Sequence, residues 1–172
     1  GSGNDLIYGD FFGDAVSADT LTGGTGEDRF IFLDVGKTTH MVPSAIAGQP
    51  AYAVSVSITD TITDFEIAGV GGQGFSSDNL KTTSIFGPHD TIDLSYILNT
   101  KSNFAGIGAQ QAISQGYIHF VQHGTQGQAG FGTTVMVDLN GGSTHTDAGN
   151  NFAVVELAGV SKASLGSELF LV

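Results

Sequence analysis

Two short segments near the start of the chain combine glycines with an aspartate at a regular spacing. Residues 1–5 read GSGND and residues 23–28 read GGTGED, and each aspartate is followed two positions later by an apolar residue. Glycine permits positive φ angles, so backbone carbonyls can crowd around one point, and the aspartate adds a charged oxygen. Ca²⁺ takes about 6–8 oxygen ligands of these kinds. The spacing therefore predicts calcium ions held in tight turns between short strands.

Both segments fit a degenerate nine-residue pattern, G-G-x-G-x-D-x-U-x, in which U is a large apolar residue. U falls on Ile7, Leu21 and Phe30, and the step from Leu21 to Phe30 is the nine residues that the pattern requires. The step from Ile7 to Leu21 is fourteen residues, so the middle repeat carries five extra residues, around positions 11–14. In such repeats a tight turn precedes each short strand, and U fills a narrow interior.

Two repeats form one turn of the coil, so the first and third repeats are predicted to stack on the same edge. Asp5 and Asp28 then face each other across one ion, and the companion ligands are the carbonyls of Gly1, Gly3, Gly24 and Gly26. A second, less regular site is predicted on the opposite edge, from Asp10, Asp14 and Asp19. The competing interpretation is a flexible Gly/Asp surface loop, but two in-register copies favour calcium. A phosphate-binding loop is disfavoured because no lysine follows the glycines.

Composition narrows the possible partners. The chain has 172 residues, enough for one domain with a core, and its 17 acidic and five basic residues give a net charge of −12. This charge disfavours nucleic acid and anionic membrane surfaces as partners. The lack of cysteine excludes disulfides and thiolate chemistry. We find no apolar stretch that predicts a membrane span and no signal peptide, and because the chain starts inside a repeat we expect it to be the C-terminal piece of a longer polypeptide.

The remaining segments read mostly as strands. Strands are predicted over 29–33, 52–58, 60–65, 90–95, 117–123, 133–139 and 152–157. Residues 140–142 read NGG, which predicts a hairpin between the last two strands. A loop is predicted over 36–50, a helix over 105–115 with Gly116 as its stop, and helical turns near 96–98 and 161–165. The expected fold is mainly all-β: a short parallel β-roll over 1–32 that continues, as one structural unit, into a β-sandwich-like cap over 33–172 with one short helix.

Taken together, these motifs resemble the C-terminal region of RTX (repeats-in-toxin) proteins exported by bacterial type I secretion. Three pieces match in order: the repeats, which close with LTGGTGEDRFIF at 21–32; the pair D-x-I-x-D-F at 60–65 and D-x-I-D-L-S at 90–95; and a terminal hairpin with an acid-plus-apolar tail. The resemblance covers essentially the whole chain. Departures are the insert in the middle repeat, the long loop 66–89 and a tail with four apolar residues after its acid.

The resemblance implies an uncleaved C-terminal export signal and folding on Ca²⁺ binding outside the cell. It adds Asp60, Asp90 and Asp93 as calcium ligands. It places the signal, contacted transiently by a type I transporter, in the tail made of Glu168, Leu169, Phe170, Leu171 and Val172. It also implies a secreted or cell-surface location, and we expect the isolated domain to be monomeric.

Other candidate sites are weaker. His119 and His123 lie four residues apart in a predicted strand, too far to chelate zinc readily. Asp138 begins a segment like an EF-hand loop, but Gly149 occupies the position of the required bidentate acid, so a hairpin turn is favoured. No nucleophile–base or metal-triad motif is present, so this segment is not expected to be an enzyme, whether its parent is an enzyme or an adhesin.

The leading hypothesis is therefore a non-enzymatic, calcium-binding export and folding module of a larger bacterial secreted protein. The alternative is a glycan- or surface-binding module of an RTX adhesin or of a polysaccharide-modifying enzyme. The scarcity of lysine and arginine argues against anionic glycans as its ligand.

Overall fold

The strands belong to two main sheets in a computed structural model that describes residues 1–9, 18–35, 37–42, 52–57, 59–67, 89–142 and 150–172. Numbered in chain order, the first sheet is parallel and runs β1 (Leu6–Tyr8), β3 (Arg29–Ile31), β7 (Thr91–Asp93) and β11 (Phe170–Leu171). The second is mixed and runs β2 (Thr20–Leu21), β6 (Asp60–Ile62), β10 (Asn151–Ala158), β9 (Gly132–Asp138) and β8 (Ile118–His123). A separate antiparallel pair is formed by β4 (Lys37–Val42) and β5 (Tyr52–Ser57).

The parallel strands alternate between the two sheets along the chain. β1, β3, β7 and β11 lie in the first sheet, and β2, β6 and β10 lie in the second. β6 therefore pairs with β2, and β7 pairs with β3, so the strands after residue 32 stack directly on the strands of the repeats.

Apolar side chains in register fill the space between the two sheets. In the first sheet Phe30 pairs with Ile92, and in the second Leu21 pairs with Ile62. Phe30, Ile62 and Ile92 are completely buried, and Phe65 packs on Phe30 with ring centroids 6.1 Å apart. Full burial of such side chains contributes about 1.5–3 kcal/mol each. The U positions thus form the core, and the D-x-I motifs extend it beyond the repeats.

Two short helices lie between β7 and β8. α1 (Ser95–Thr100) follows β7 directly and buries Ile97 and Leu98. α2 (Ala109–Ser114) lies between two glycines with positive φ, Gly108 and Gly116, and buries two alanines. Single 3₁₀ turns follow β10, at Lys162–Ser164 and Ser167–Leu169. None of the helices in the described ranges is long and apolar enough to cross a membrane.

The prediction of a mainly all-β fold, a short β-roll passing into a sandwich-like cap with one helix, is wrong. The described residues have mixed α/β character, with one parallel sheet, one mixed sheet, the antiparallel pair β4–β5 and two α-helices. The segment after β7, where no more than a helical turn near 96–98 was predicted, forms helix α1, which buries Ile97 and Leu98. A separate sandwich is absent from the described residues because β6 and β7 pair with β2 and β3.

The local secondary-structure predictions were confirmed only in part. The predicted loop over 36–50 contains β4, a strand whose weakly periodic sequence, KTTHMV, is paired along its whole length with β5. The predicted helix is present over a shorter range, Ala109–Ser114, and Gly116 does follow it. The hairpin of β9 and β10 is confirmed. The insert at 11–14 lies outside the described residues.

Candidate metal site in the stacked turns

Three turns lie on top of one another at the edge that precedes β1, β3 and β7. These stacked turns comprise residues 1–5, residues 22–28, and residues 63–66 with 89–90. The first two are joined by a parallel bridge between Ser2 and Thr25, with the Gly3 amide donating to the Thr25 carbonyl at 2.7 Å. The Thr91 amide donates to the Asp28 carbonyl at 2.8 Å and joins the second layer to the third. The first and third repeats therefore stack on one edge, as their spacing predicts.

Aspartates link the backbones of successive layers. Asp28 Oδ1 accepts the amide of Asp5 at 2.8 Å, and Asp90 Oδ1 accepts the amide of Asp28 at 3.0 Å. Asp90 Oδ2 accepts the amide of Glu66 at 2.7 Å. The Asp28 carboxylate thus accepts a hydrogen bond from the backbone of Asp5. The Asp5 carboxylate itself is half-exposed and lies 3.6 Å from the amine of Gly1.

The second oxygen of Asp28 is the feature that points to a cation. Asp28 is 1% exposed, and its Oδ2 has no hydrogen-bond partner among the described residues. It lies against the Cα of Gly23, where a side chain would overlap it. A buried carboxylate oxygen left without a partner is unfavourable unless it meets a donor or a cation. A hard carboxylate oxygen beside a glycine backbone fits the ligand chemistry of Ca²⁺.

The glycines allow the first two layers to approach closely. Gly24 has φ +104° and Gly26 has φ +133°, and a Cβ on either would overlap the carbonyl group of Gly1 or Gly3 respectively. The Gly1 carbonyl also accepts the Thr25 amide at 3.1 Å. The structure therefore brings together the glycines predicted as companion ligands, although their role in binding a metal stays a prediction.

The stacked turns carry a concentrated negative charge. They contain no lysine or arginine but six acidic residues: Asp5, Glu27, Asp28, Asp64, Glu66 and Asp90. Burial raises the pKa of Asp90 to about 6; amides of Glu66 and Asp28 oppose this shift and the charges of Asp28 and Glu66 add to it. The fold thus disfavours the charged form of Asp90 when no counter-ion is near.

Asp93, also predicted as a ligand, has protein partners for both oxygens. Oδ1 accepts the Ser95 amide at 2.9 Å, and Oδ2 accepts Nε of Arg29 at 3.1 Å and a second bond from Nη2. Burial alone would raise the pKa of Asp93, but the hydrogen bonds from Ser95 and the charge of Arg29 outweigh it and lower the pKa. Asp93 therefore neutralises the arginine of β3.

At the opposite edge, the carboxylate of Asp60 also accepts a backbone amide of a neighbouring layer. Asp60 is 1% exposed and its Oδ1 accepts the amide of Asp19 at 3.0 Å, while the Thr61 amide donates to the Asp19 carbonyl at 2.8 Å. Asp10 and Asp14, predicted for this edge, lie outside the described residues. The structure thus brings together Asp19 and Asp60, whose predicted metal role stays a prediction.

Sequence reasoning missed Asp64 as a site residue. Its carboxylate accepts the amides of Gly23 at 3.0 Å and Gly24 at 2.8 Å. A signal for it exists in the sequence: counting from the U position, Asp64 follows Ile62 by two residues as Gly23 follows Leu21. Reading 60–65 as a further repeat would have placed Asp64 in the turn beside the glycines.

The tail forms the last strand of the first sheet. Leu169 is 1% exposed and Phe170 is 4% exposed; Phe170 pairs with Ile92 and packs on Phe120 with ring centroids 5.4 Å apart. The Leu171 carbonyl accepts the amide of Leu94 at 2.8 Å. Leu169 and Phe170 of the predicted export tail therefore lie in the core, and Phe170–Leu171 belongs to the sheet that carries the stacked turns.

The weaker candidates occupy ordinary structural positions. His123 lies in β8 with its Nε2 3.6 Å from Oε1 of Glu156, and Asp138 accepts the amide of Asn140 in the turn after β9. In the described part of the chain no three histidine or acidic side chains converge on one point. An ion in the stacked turns would therefore need backbone oxygens beside the carboxylates.

Comparison with known proteins does not assign a family. The chain matches no protein-family model, and no curated protein is similar to it.

Proposed function

We propose that this chain is a non-enzymatic calcium-binding module whose stacked turns hold the ion. The observation that carries the proposal is the buried Oδ2 of Asp28, left without a hydrogen-bond partner among the described residues in turns that carry six acidic residues and no lysine or arginine. Aspartates and glycine carbonyls are oxygen ligands, which suit Ca²⁺ better than softer metals.

The residues of the turns would act together in binding. Asp28 would contribute a carboxylate oxygen, at most one further carboxylate, from Asp5 or Asp90, would join it, and the glycines of the first two layers would contribute carbonyls. Bound Ca²⁺ supplies the positive charge that offsets the repulsion among these carboxylates. Binding to the folded chain alone would add about 2.7 kcal/mol per site at a free calcium concentration of roughly 100 times Kd. Relative to a typical domain stability of about 5–15 kcal/mol, that contribution is roughly a fifth to a half, large enough to shift the folding equilibrium.

We further propose that the module belongs to a larger bacterial protein secreted by a type I transporter, with its export signal in residues 168–172. The order of the repeats, the paired D-x-I motifs and the tail supports this, because it resembles the RTX C-terminal region. In the folded chain Leu169 and Phe170 are buried. The tail would therefore be available to a transporter before folding, in the cytosol, and become part of the sheet outside the cell. If secretion of the parent were unchanged after deletion of 168–172, the export part of the proposal would fail.

Calcium titration calorimetry on the full chain tests the binding proposal. The wild type should bind Ca²⁺, and Asp28→Asn should bind at least about tenfold more weakly, because a good charged ligand contributes more than about 1.4 kcal/mol. Asp34→Asn is the matched control, since the Asp34 carboxylate accepts the amide of its neighbour Val35 and lies outside the stacked turns. A wild type without calcium binding, or an Asp28→Asn variant that binds as tightly, would contradict the proposal.

A further inference from the structure

Asp64 connects the second and third layers of the stacked turns through two hydrogen bonds. Its Oδ1 accepts the amide of Gly23 at 3.0 Å and its Oδ2 accepts the amide of Gly24 at 2.8 Å. Both donors are consecutive backbone amides, and Gly24 has φ +104°. Successive amides in a turn of this kind form a concave donor site that favours an anionic oxygen.

The register of the strands explains why one aspartate can reach both amides. Leu21 of β2 pairs with Ile62 of β6, so the residues two positions later, Gly23 and Asp64, lie in adjacent layers. Asp64 takes the position that a glycine holds in the layer above, and its side chain extends to that layer. It is half-buried, which reduces competition from water for the two amides.

Gly23 is also the residue that faces the free oxygen of Asp28. The space beside Asp28 Oδ2 is bounded by the Cα of Gly23, where any side chain would overlap the carboxylate. A displacement of the Gly23 backbone would therefore change the immediate surroundings of the oxygen. Asp64 is the described side chain that bonds to both amides of this turn.

We infer that Asp64 is a positioning residue that fixes the Gly23–Gly24 turn in the geometry required for a cation at Asp28. This inference rests on the proposed calcium-binding function and adds a residue that acts through the turn and not as a ligand. The two hydrogen bonds from Gly23 and Gly24 to Asp64, here called the clamp, hold the turn in place before the ion arrives. This reduces the ordering cost of binding, so the clamp raises the affinity for calcium.

Amide hydrogen exchange in calcium-free buffer tests the clamp without the ion. The amides of Gly23 and Gly24 should be protected in the wild type and should exchange at least about tenfold faster in Asp64→Ala, while the amides of Ile92 and Val135 in the core keep their protection. Asp64→Asn, which retains one acceptor oxygen, should be intermediate and provides a readout if the alanine variant fails to fold. Rapid exchange of both glycine amides in the wild type, or faster exchange at all four positions together in both variants, would overturn the inference.

Calcium affinity of the same variants tests the positioning role. Affinity should fall in the order wild type, Asp64→Asn, Asp64→Ala, with about a tenfold loss for alanine, while Asp34→Ala binds like the wild type. Unchanged affinity in both Asp64 variants would overturn the inference and leave the proposed function standing. A wild type that binds no calcium would overturn the proposed function and the positioning role with it, whereas the exchange experiment would still report on the clamp.

Discussion

The aspartates at this edge use their carboxylates to accept backbone amides. Asp90 accepts the amide of Asp28 in the next layer with Oδ1 and the amide of Glu66 in its own layer with Oδ2, while Asp28 accepts the amide of Asp5 with Oδ1 and keeps Oδ2 buried. One residue type therefore joins the layers and, in the proposed function, would also present charge to a cation. Burying a charged carboxylate is unfavourable, and for this reason burial raises the pKa of Asp90 to about 6.

The raised pKa predicts that the wild type loses stability relative to Asp90→Asn as the pH rises in calcium-free buffer. Because the pKa of Asp90 is higher in the folded chain than its ordinary value of 3.8, its contribution to stability is fully present below about pH 4 and is lost as the pH rises through about 6. Asparagine retains one acceptor oxygen for the two amides, so the variant should be less stable than the wild type near pH 4, and the stability of the variant relative to the wild type should rise by up to roughly 3 kcal/mol between pH 4 and pH 7. Urea unfolding of both proteins at both pH values measures the change. A difference between variant and wild type that is the same at both pH values would contradict the burial of charge described for Asp90.

Two glycines of the stacked turns provide a matched pair for testing close packing of the layers. Gly24 and Gly3 both have positive φ, at +104° and +109°, but a Cβ on Gly24 would overlap the Gly1 carbonyl whereas a Cβ on Gly3 meets open space. Gly3→Ala should cost about 1–3 kcal/mol from backbone strain alone, and Gly24→Ala should cost more. Urea unfolding of the two variants measures the gap, and equal losses would argue against tight stacking of the first two layers.

At the scale of elements, the triplet Asp-x-apolar is the unit that builds the fold. It precedes or begins β1, β2, β3, β6 and β7, at residues 5–7, 19–21, 28–30, 60–62 and 90–92. In each triplet the aspartate lies at the turn, and the apolar residue points between the sheets. The later triplets therefore perform the structural role of the nonapeptide repeats without their glycines.

This recurrence explains what could be predicted from the sequence. The strands with apolar residues at U positions, the hairpin of β9 and β10 and the stacking of Asp28 near Asp5 followed from local spacing. The pairing of β6 with β2 did not, because long insertions separate the triplets and the strands themselves are two or three residues long. β4 was not predicted because its own sequence has little periodicity. It is a strand because it pairs with β5.

Truncating Phe170, the buried residue of the last strand, should destabilise the folded chain. Phe170 is 4% exposed and packs on Phe120, whereas its neighbour Leu171 is 37% exposed. Phe170→Ala should cost about 3–5 kcal/mol, and Leu171→Ala should cost less because its smaller side chain is partly exposed. Denaturant unfolding of the two variants compares them. Equal, small losses would show that the tail contributes little to the core, and would weaken the idea that folding conceals the export residues.

For the molecule as a whole, charge and topology act in opposite directions. The net charge is −12, and the stacked turns gather six acidic residues at one edge without a lysine or arginine. Self-repulsion opposes the compact state, while the alternating parallel strands require these turns to lie on one another. The proposed cation would offset this repulsion, so the proposal predicts that calcium binding and folding are coupled.

The most direct test is the free energy of unfolding of the full chain measured in urea, in EGTA and in excess Ca²⁺, with Mg²⁺ as the control cation. Calcium should raise the stability by at least about 2.7 kcal/mol at roughly 100 times Kd, and Mg²⁺ should raise it much less. Superimposable unfolding curves in EGTA and Ca²⁺ would contradict the central claim that the stacked turns bind calcium in the folded state.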